Sequence, residues 1–488
     1  MENRIGAALT LAVLTGIGLL MISPVEDLDV WWLLRTGQYM VETRSFPTTD
    51  PFSATAQGAE WLNHAWGFEL LLYGVYRLAG TTGLIITPAL FAVGTFALLY
   101  RLLRWEGLGR GWALALIALG AMATRGFWSP RPQLVTYLFL TLFWGLLRED
   151  RPGRPARLAW LPLLTFVWVN LHGGFIIGPA LIGLTLAAEL FERAFRTQET
   201  VPDGRRLGRL TVTLAGCGLA ALLNPFHYHA LLFPFQVMGD RLARAFITEW
   251  ASPPFQHPQV MLLEGLLLLT LVLLLWTPRP ARWRDLAALV VFVHLTLLAI
   301  RNVPLLVIVL LPLLGRVLAD TAPRWTPALI AARDWVRRRL AIAVAAAVAV
   351  PVVAWWSLPL GALGEFVPGL GVAPTFPSGA VEFLKRERPP GPLFNDYGWG
   401  GYLIWHLYPD YRVSIDGRVA VYGPRLLAEH VEIHNLHPRW RQTLDRLGFG
   451  LVFIRARSPL ATVLRAAPDW EVLYEDRIAV ILGRRGRS

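Results

Sequence analysis

The chain is a succession of apolar runs punctuated by arginine, and that pattern restricts its fold more than anything else in it. Ile5–Ser23, Leu84–Leu103, Trp112–Thr124, Gln133–Leu147, Leu158–Val169, Phe175–Phe191, Leu210–Leu223, Val260–Trp276, Leu286–Ile300, Val303–Leu318 and Leu340–Trp356 carry almost no charge. In hydrocarbon a segment must pair its own backbone polar groups, so such runs cross a bilayer as helices of roughly 20 residues. The reading is a polytopic α-helical membrane protein of about eleven spans. Composition agrees: 55% of residues are hydrophobic and 16% charged, against about 25% charged in soluble domains. Disorder and an ordinary soluble enzyme are excluded. Ile5–Ser23 lacks a small-x-small cleavage pattern and reads as an uncleaved first helix. Cys217 is the only cysteine, so a disulfide framework or a cysteine metal site is not expected.

The net charge of +12 would suggest nucleic acid in a soluble protein. Here it reflects arginine in cytoplasmic loops, and no nucleic-acid partner is expected. Trp66–Leu78 decides the topology, because it is short and carries Glu69 and Arg77. If it does not cross and the N-terminus is cytoplasmic, about 22 arginines fall inside and roughly eight outside. Making it a span removes that bias, so the positive-inside rule predicts an interfacial or re-entrant helix. The expected location is a bacterial cytoplasmic membrane, with the C-terminal domain extracytoplasmic.

Charge density divides the chain near Ala373. About a quarter of residues 374–488 are charged, against roughly one in seven of residues 1–373. The expected domains are therefore 1–373, transmembrane with a long first outer loop at 24–83, and 374–488, a small extracytoplasmic α/β domain. In the tail, strands are expected at Gly391–Asn395, Arg412–Ile415, Leu451–Ile454 and Ile478–Leu482, and helices at Gly400–Leu407 and Leu460–Ala466.

With this topology the unusual polar residues gather on the outer face. They are Asp27 and Asp29, Asn63 and His64, Arg125 and Arg131, His172, Glu249, and Arg301 with Asn302. Arginine on that side runs against the topological bias and calls for an anionic partner, so Arg131, Arg301 and Arg125 are candidates for a ligand phosphate. Structural explanations stand beside these. Asp27 or Asp29 can cap the helix running toward Thr43, Asn224 before Pro225 can end a helix, and His172 before two glycines can be a satisfied helix end.

Several motifs resemble a poorly characterised group of bacterial membrane proteins placed with or near the GT-C glycosyltransferases. They are Asp27-Leu28-Asp29-Val30-Trp31-Trp32, Pro47-Thr48-Thr49-Asp50-Pro51-Phe52-Ser53, Asn170-Leu171-His172-Gly173-Gly174, Arg301-Asn302-Val303-Pro304 and Asp416-Gly417-Arg418. The resemblance covers most of the chain. It implies a GT-C-like fold and a sugar taken from a polyprenyl-phosphate or polyprenyl-diphosphate carrier. It also implies a catalytic acid near the end of the first span, a role that falls by position on Asp29 or Asp27. Asn395-Asp396-Tyr397-Gly398 resembles the WWDYG motif of oligosaccharyltransferase catalytic subunits, with Phe394-Asn395 in place of the tryptophans; a strand-to-helix turn explains it equally well. The expected activity moves a sugar onto an outer-face acceptor, which is a glycan, a lipid or a protein. Asp27, Asp29, His64 and His172 are compatible with a divalent ion such as Mg or Mn, though their spacing does not require one. Two other classes stay open: a flippase for lipid-linked glycans, against which stands the gathering of ionisable groups at one face, and a noncatalytic scaffold.

Overall fold

In a computed structural model the chain is largely helical, and residues 2–149, 157–195, 203–239, 247–330, 372–373 and 375–486 are described. Each apolar run from Ile5–Ser23 to Val303–Leu318 lies on a helix. The last, Leu340–Trp356, falls outside the described residues. Among the described residues, Trp66–Trp105, Gly173–Phe195, Pro258–Trp276 and Ile300–Thr321 are long and apolar enough to cross a membrane, and Arg4–Leu20, Gln133–Arg148 and Arg157–Val169 are shorter apolar helices.

The chain divides into two compact units. The first comprises Met1–Ile22, Ile85–Phe235 and Arg244–Pro368; the second comprises Ser23–Leu84, Gln236–Ala243 and Gly369–Ser488. The division passes through Trp66–Trp105, where the helix is broken. Gly80 lies at φ 57° and ψ −147°, a conformation open to glycine and to almost no other residue. Residues 66–79 thus form a helix separate from the one containing Leu84–Leu103.

The first unit is a helical bundle in which several buried charged side chains are paired. Arg148 lies 2.7 Å from Glu106 and is bonded to Asp285; Arg206 meets Glu189 at 2.8 Å, and Arg316 meets Asp285 at 3.4 Å. Several arginines assigned by sequence to cytoplasmic loops are thus partners in a buried network at one set of helix ends. A buried charge is tolerated only when paired in this way.

The second unit is built on a four-stranded sheet, β1 (Leu393–Asn395), β2 (Leu451–Arg455), β3 (Trp470–Glu475) and β4 (Ala479–Arg484), in the order β1-β2-β4-β3. β1 is parallel to β2, and the other pairs are antiparallel. Phe394, Val452, Ile454, Val480, Leu482 and Trp470 pack with Leu460, Leu464, Ile433 and Leu444 from the helices. Segment 412–415, expected as a strand, makes only an isolated parallel bridge, Ser53 to Val413. Its backbone groups find other partners. Asn395 Oδ1 accepts from Ser414 N at 2.7 Å, and Val413 O accepts from Ala54 N at 2.8 Å. β3 was not expected, because it is a half-exposed edge strand with a bulge between Val472 and Tyr474.

The first loop and the tail interlock inside this unit. Trp31 makes T-shaped contacts with Phe376 and Tyr402, ring centres 5.6 and 5.2 Å apart, and Phe52 meets Tyr408 at 5.1 Å. Helix Gly400–Leu407 lies against helix Val30–Thr43.

Candidate functional site

Two groups of the sequence-selected residues are assembled, one in each unit.

In the first unit Arg131 precedes helix Gln133–Glu149, and its backbone N–H donates to Ser129 O at 2.7 Å. Its guanidinium donates to Glu249 Oε1 at 2.7 Å. Glu249 belongs to the short helix Thr248–Trp250, and Trp250 lies under the Arg301 guanidinium, 4.8 Å from its Cζ. A backbone bond from Ile300 N to Ala251 O (2.9 Å) ties these two segments together. Asn302 holds the turn, donating from Nδ2 to Leu295 O at 2.8 Å. Burial by itself pushes the Glu249 carboxyl up, but the Arg131 and Arg301 guanidiniums outweigh it and hold the group below its usual range. Tyr137, edge-on to Trp128 at 5.2 Å, lies within electrostatic reach of all three charges. The result is two arginines and one ionised carboxylate from three chain segments. Such a cluster can take an oxyanion by charge-assisted hydrogen bonding.

Arg125 opens the turn Arg125–Phe127 and is exposed. His172 is placed by hydrogen bonds. Gly174 N donates to its Nδ1 at 3.3 Å, and Thr136 Oγ1 lies 2.6 Å from the same atom. With Trp168 Nε1 donating to Thr136 Oγ1 at 3.2 Å, the threonine hydroxyl is left to donate to Nδ1. The neutral ring then carries its proton on Nε2. Asn224 caps its own turn, accepting from Phe226 N at 2.8 Å.

In the second unit Asp27 and Asp29 stand at the start of helix Val30–Thr43. Asp27 Oδ1 accepts from Asp29 N at 3.0 Å, and Asp29 Oδ1 accepts from Trp32 Nε1 at 3.0 Å. Asp29 makes no side-chain cap bond to the helix backbone. Both are half-buried. The Asp29 carboxylate lies against Gly417, where a built Cβ would fall 2.0 Å from Asp29 Oδ1. A side chain at 417 would have to displace the Asp29 carboxylate. Asn63 is buried and donates to Glu69 Oε2 at 2.7 Å. His64 follows it, half-buried, its N–H donating to Leu62 O at 3.0 Å.

Residues not singled out for chemistry form a densely bonded cluster in this unit. Arg418 donates to Asp50 Oδ1 at 2.6 Å and to Asp416 Oδ1 and Oδ2 at 2.8 and 2.6 Å. Its Cζ lies 5.1 Å from the Phe52 ring centre and 4.8 Å from that of Trp61. Tyr422 donates to Asp416, and Ser53 to Asp50. Both acids lie within motifs quoted for the resemblance. What the sequence could not show is that the two motifs meet. Asn395 and Asp396, from the segment that resembles WWDYG, serve the backbone. Asp396 Oδ1 accepts from Gly398 N at 3.0 Å, and Asn395 Nδ2 donates to Ile415 O at 2.9 Å.

Asp27, Asp29, His64 and His172 do not form a ligand set. Among the described residues no three His, Cys, Asp or Glu side chains come together to hold a metal ion.

No family model and no curated protein matches the sequence. Solved structures do match. Oligosaccharyltransferase AglB from Archaeoglobus fulgidus, in complex with an inhibitory peptide and a dolichol-phosphate, aligns with TM-score 0.64 and 10% identity over 93% of this chain and 70% of its own. ArnT from Cupriavidus metallidurans, bound to undecaprenyl phosphate, aligns with TM-score 0.53 and 15% identity over 99% and 97%. The mycobacterial arabinofuranosyltransferase AftD aligns with TM-score 0.55 and 16% identity over 99% of this chain, which spans 40% of AftD. At these identities the likeness is one of fold: the chain shares the fold of these three proteins.

Proposed function

We propose that the chain is a glycosyltransferase that moves a sugar from a polyprenyl-phosphate-linked donor to an acceptor on the outer side of a bacterial cytoplasmic membrane. The observation that carries the reading is the Arg131–Glu249–Arg301 cluster in a fold shared with ArnT bound to undecaprenyl phosphate and AglB with a dolichol-phosphate. Nucleotide sugars are cytosolic, so an outward-facing transferase needs a lipid-borne donor. Its leaving group is a phosphate at headgroup depth.

The roles follow from chemistry. The bond between the anomeric carbon and the phosphate oxygen breaks, and its electron pair stays on that oxygen. Arg131 and Arg301 stabilise the growing charge. The acceptor hydroxyl oxygen bonds to the anomeric carbon from the opposite side, inverting it, and its proton passes to a carboxylate. From its place after the first span Asp29 is proposed as a base, with Trp32 orienting it through the indole N–H and Asp27 accepting from its backbone N–H. No step is assigned to a metal ion. The proposed arrangement has residues 1–373 as the membrane domain and 374–488 as the extracytoplasmic domain, with the N-terminus cytoplasmic.

The test is undecaprenyl phosphate binding to the full-length protein in nanodiscs. Arg131→Gln and Arg301→Gln should each weaken binding at least about tenfold, the order expected for one lost charge-assisted contact, without changing the unfolding temperature. Unchanged binding in both variants would overturn the reading and leave the flippase or scaffold classes.

A further inference from the structure

The buried arginine network of the first unit lies at the far end of the helix that Arg131 precedes, and one of its members is unlike the rest. Arg148 donates to Glu106 Oε1 at 2.8 Å and to Asp285, and Arg206 donates to Glu189 Oε2 at 2.8 Å. Arg316 donates to Asp285 Oδ2 at 3.4 Å and to Pro280 O at 3.2 Å, and Arg284 to Leu147 O at 3.1 Å. Arg282 is the exception. Its Nη1 is buried with no hydrogen-bond partner among the described residues, and Glu106 Oε1 is 3.9 Å away. That is beyond hydrogen-bonding distance, and Arg148 already donates to the same oxygen.

Burial and then the Arg316 guanidinium, with Arg148 after them, outweigh Asp285 and Glu106 and hold the Arg282 pKa below its ordinary value. The group stays charged at neutral pH all the same. A guanidinium placed beside two others calls for an anion. The position is open to one, because the Arg282 side chain is 24% exposed. Next in the chain, Trp283 is exposed and meets Phe191 in a T-shaped contact, ring centres 4.9 Å apart. Phe195, also exposed, lies 4.5 Å from Phe191. Exposed aromatic rings at a helix end suit the headgroup level of a bilayer, and basic pockets between membrane helices take lipid phosphates.

We infer that Arg282, with Arg316 behind it, binds the phosphate of an anionic phospholipid at this end of the bundle. A phosphodiester brings acceptor oxygens to the exposed part of the guanidinium and a negative charge to three like charges. A zwitterionic headgroup carries the same phosphate with a cation attached, which the arginines repel. The site is separate from the Arg131 cluster and does not depend on the glycosyl-transfer reading.

The experiment titrates the full-length protein in detergent, at fixed ionic strength, with phosphatidylglycerol, phosphatidylcholine or inorganic phosphate. The rise in melting temperature gives each apparent affinity. The wild type should bind phosphatidylglycerol at least about fivefold more tightly than phosphatidylcholine, the order expected of one basic group at an anionic surface. Arg282→Gln should erase that preference. Arg282→Lys keeps the charge and should keep most of it, which guards against a folding defect in the Gln variant. Arg279→Gln removes an exposed arginine of the same loop, paired with Asp320, and should leave the preference intact. Equal affinity for the two lipids in the wild type overturns the inference. So does a preference that survives Arg282→Gln, or one that Arg279→Gln lowers as much, since general attraction to basic residues would then account for it. Arg282-dependent stabilisation by inorganic phosphate, with no preference between the lipids, would make this a site for a free anion and overturn the lipid assignment.

Discussion

Arg418 is buried with two carboxylates and two aromatic rings around it, and its guanidinium supplies the positive charge between Asp50 and Asp416. Removing it leaves Asp50 and Asp416 facing each other in a dry site. Breaking a buried pair on one side costs about 3–5 kcal/mol. Arg418→Met should therefore lower the denaturation midpoint of the second unit sharply, and Asp50→Asn should do so less because a hydrogen bond remains. Asp29 makes a contrasting case, since it is half-buried and accepts from the indole N–H of Trp32, three residues on. Asp29→Asn keeps its shape and removes the base, so transfer should fall about 10²-fold or more while donor binding persists; full activity in the Asp27/Asp29 double variant would remove the proposed base. Two tail histidines supply a pH dependence. Burial, then His434, drives His430 down to about 3; burial, then Lys385, drives His406 down to about 4. The native rings stay neutral where the unfolded chain, titrating near 6.5, takes up protons. Between about pH 6.5 and 3 the unfolded state binds more protons, so stability falls as pH falls through that window. His430→Phe, which keeps a ring to stack on Phe394, should make the melting temperature less sensitive between pH 7 and 4.5.

At the scale of elements, the helix break at Gly80 separates residues 66–79 from the apolar run that follows. The dihedrals there suit glycine, and a β-branched residue would be strained by about 1–3 kcal/mol. Gly80→Val should lower the melting temperature of the purified protein, and an unchanged value would mean that the break relocates at no cost. The tail's sheet and helices carry their own core. A fragment beginning near Phe376 is thus expected to unfold cooperatively. Adding residues 23–84 in trans should raise its midpoint, because Arg418 regains Asp50 and Phe376 and Tyr402 regain their contacts with Trp31. A midpoint indifferent to the loop would show that these contacts contribute little.

Across the whole molecule, arginine serves two ends. Arg148, Arg206 and Arg316 pair with Glu106, Glu189 and Asp285 at one set of helix ends. Arg131 lies at the other end of the helix that carries Arg148, about 25 Å away at 1.5 Å per residue. The arginine bias predicts that a reporter fused after Leu103 reads cytoplasmic and one fused after Ser488 reads external. The opposite readings would remove the outer-face mechanism.

Much of this was legible in the residues alone. Apolar runs must become helices, since a segment in hydrocarbon satisfies its backbone only internally; and in the tail β1, β2 and β4 read as short apolar runs between turns. Those are local properties, carried by each segment whatever it meets. Pairing is not local. Nothing near Asp50 announces Arg418, 368 positions away, and nothing near Arg131 announces Glu249. The strand expected at 412–415 failed for the same reason, because its hydrogen bonds went to Asn395 and to the first loop. The sequence alone determined where the apolar helices and three of the four strands lie. Only the tertiary structure decided which charge each arginine answers, because a buried ion is settled by the partner that folding brings to it.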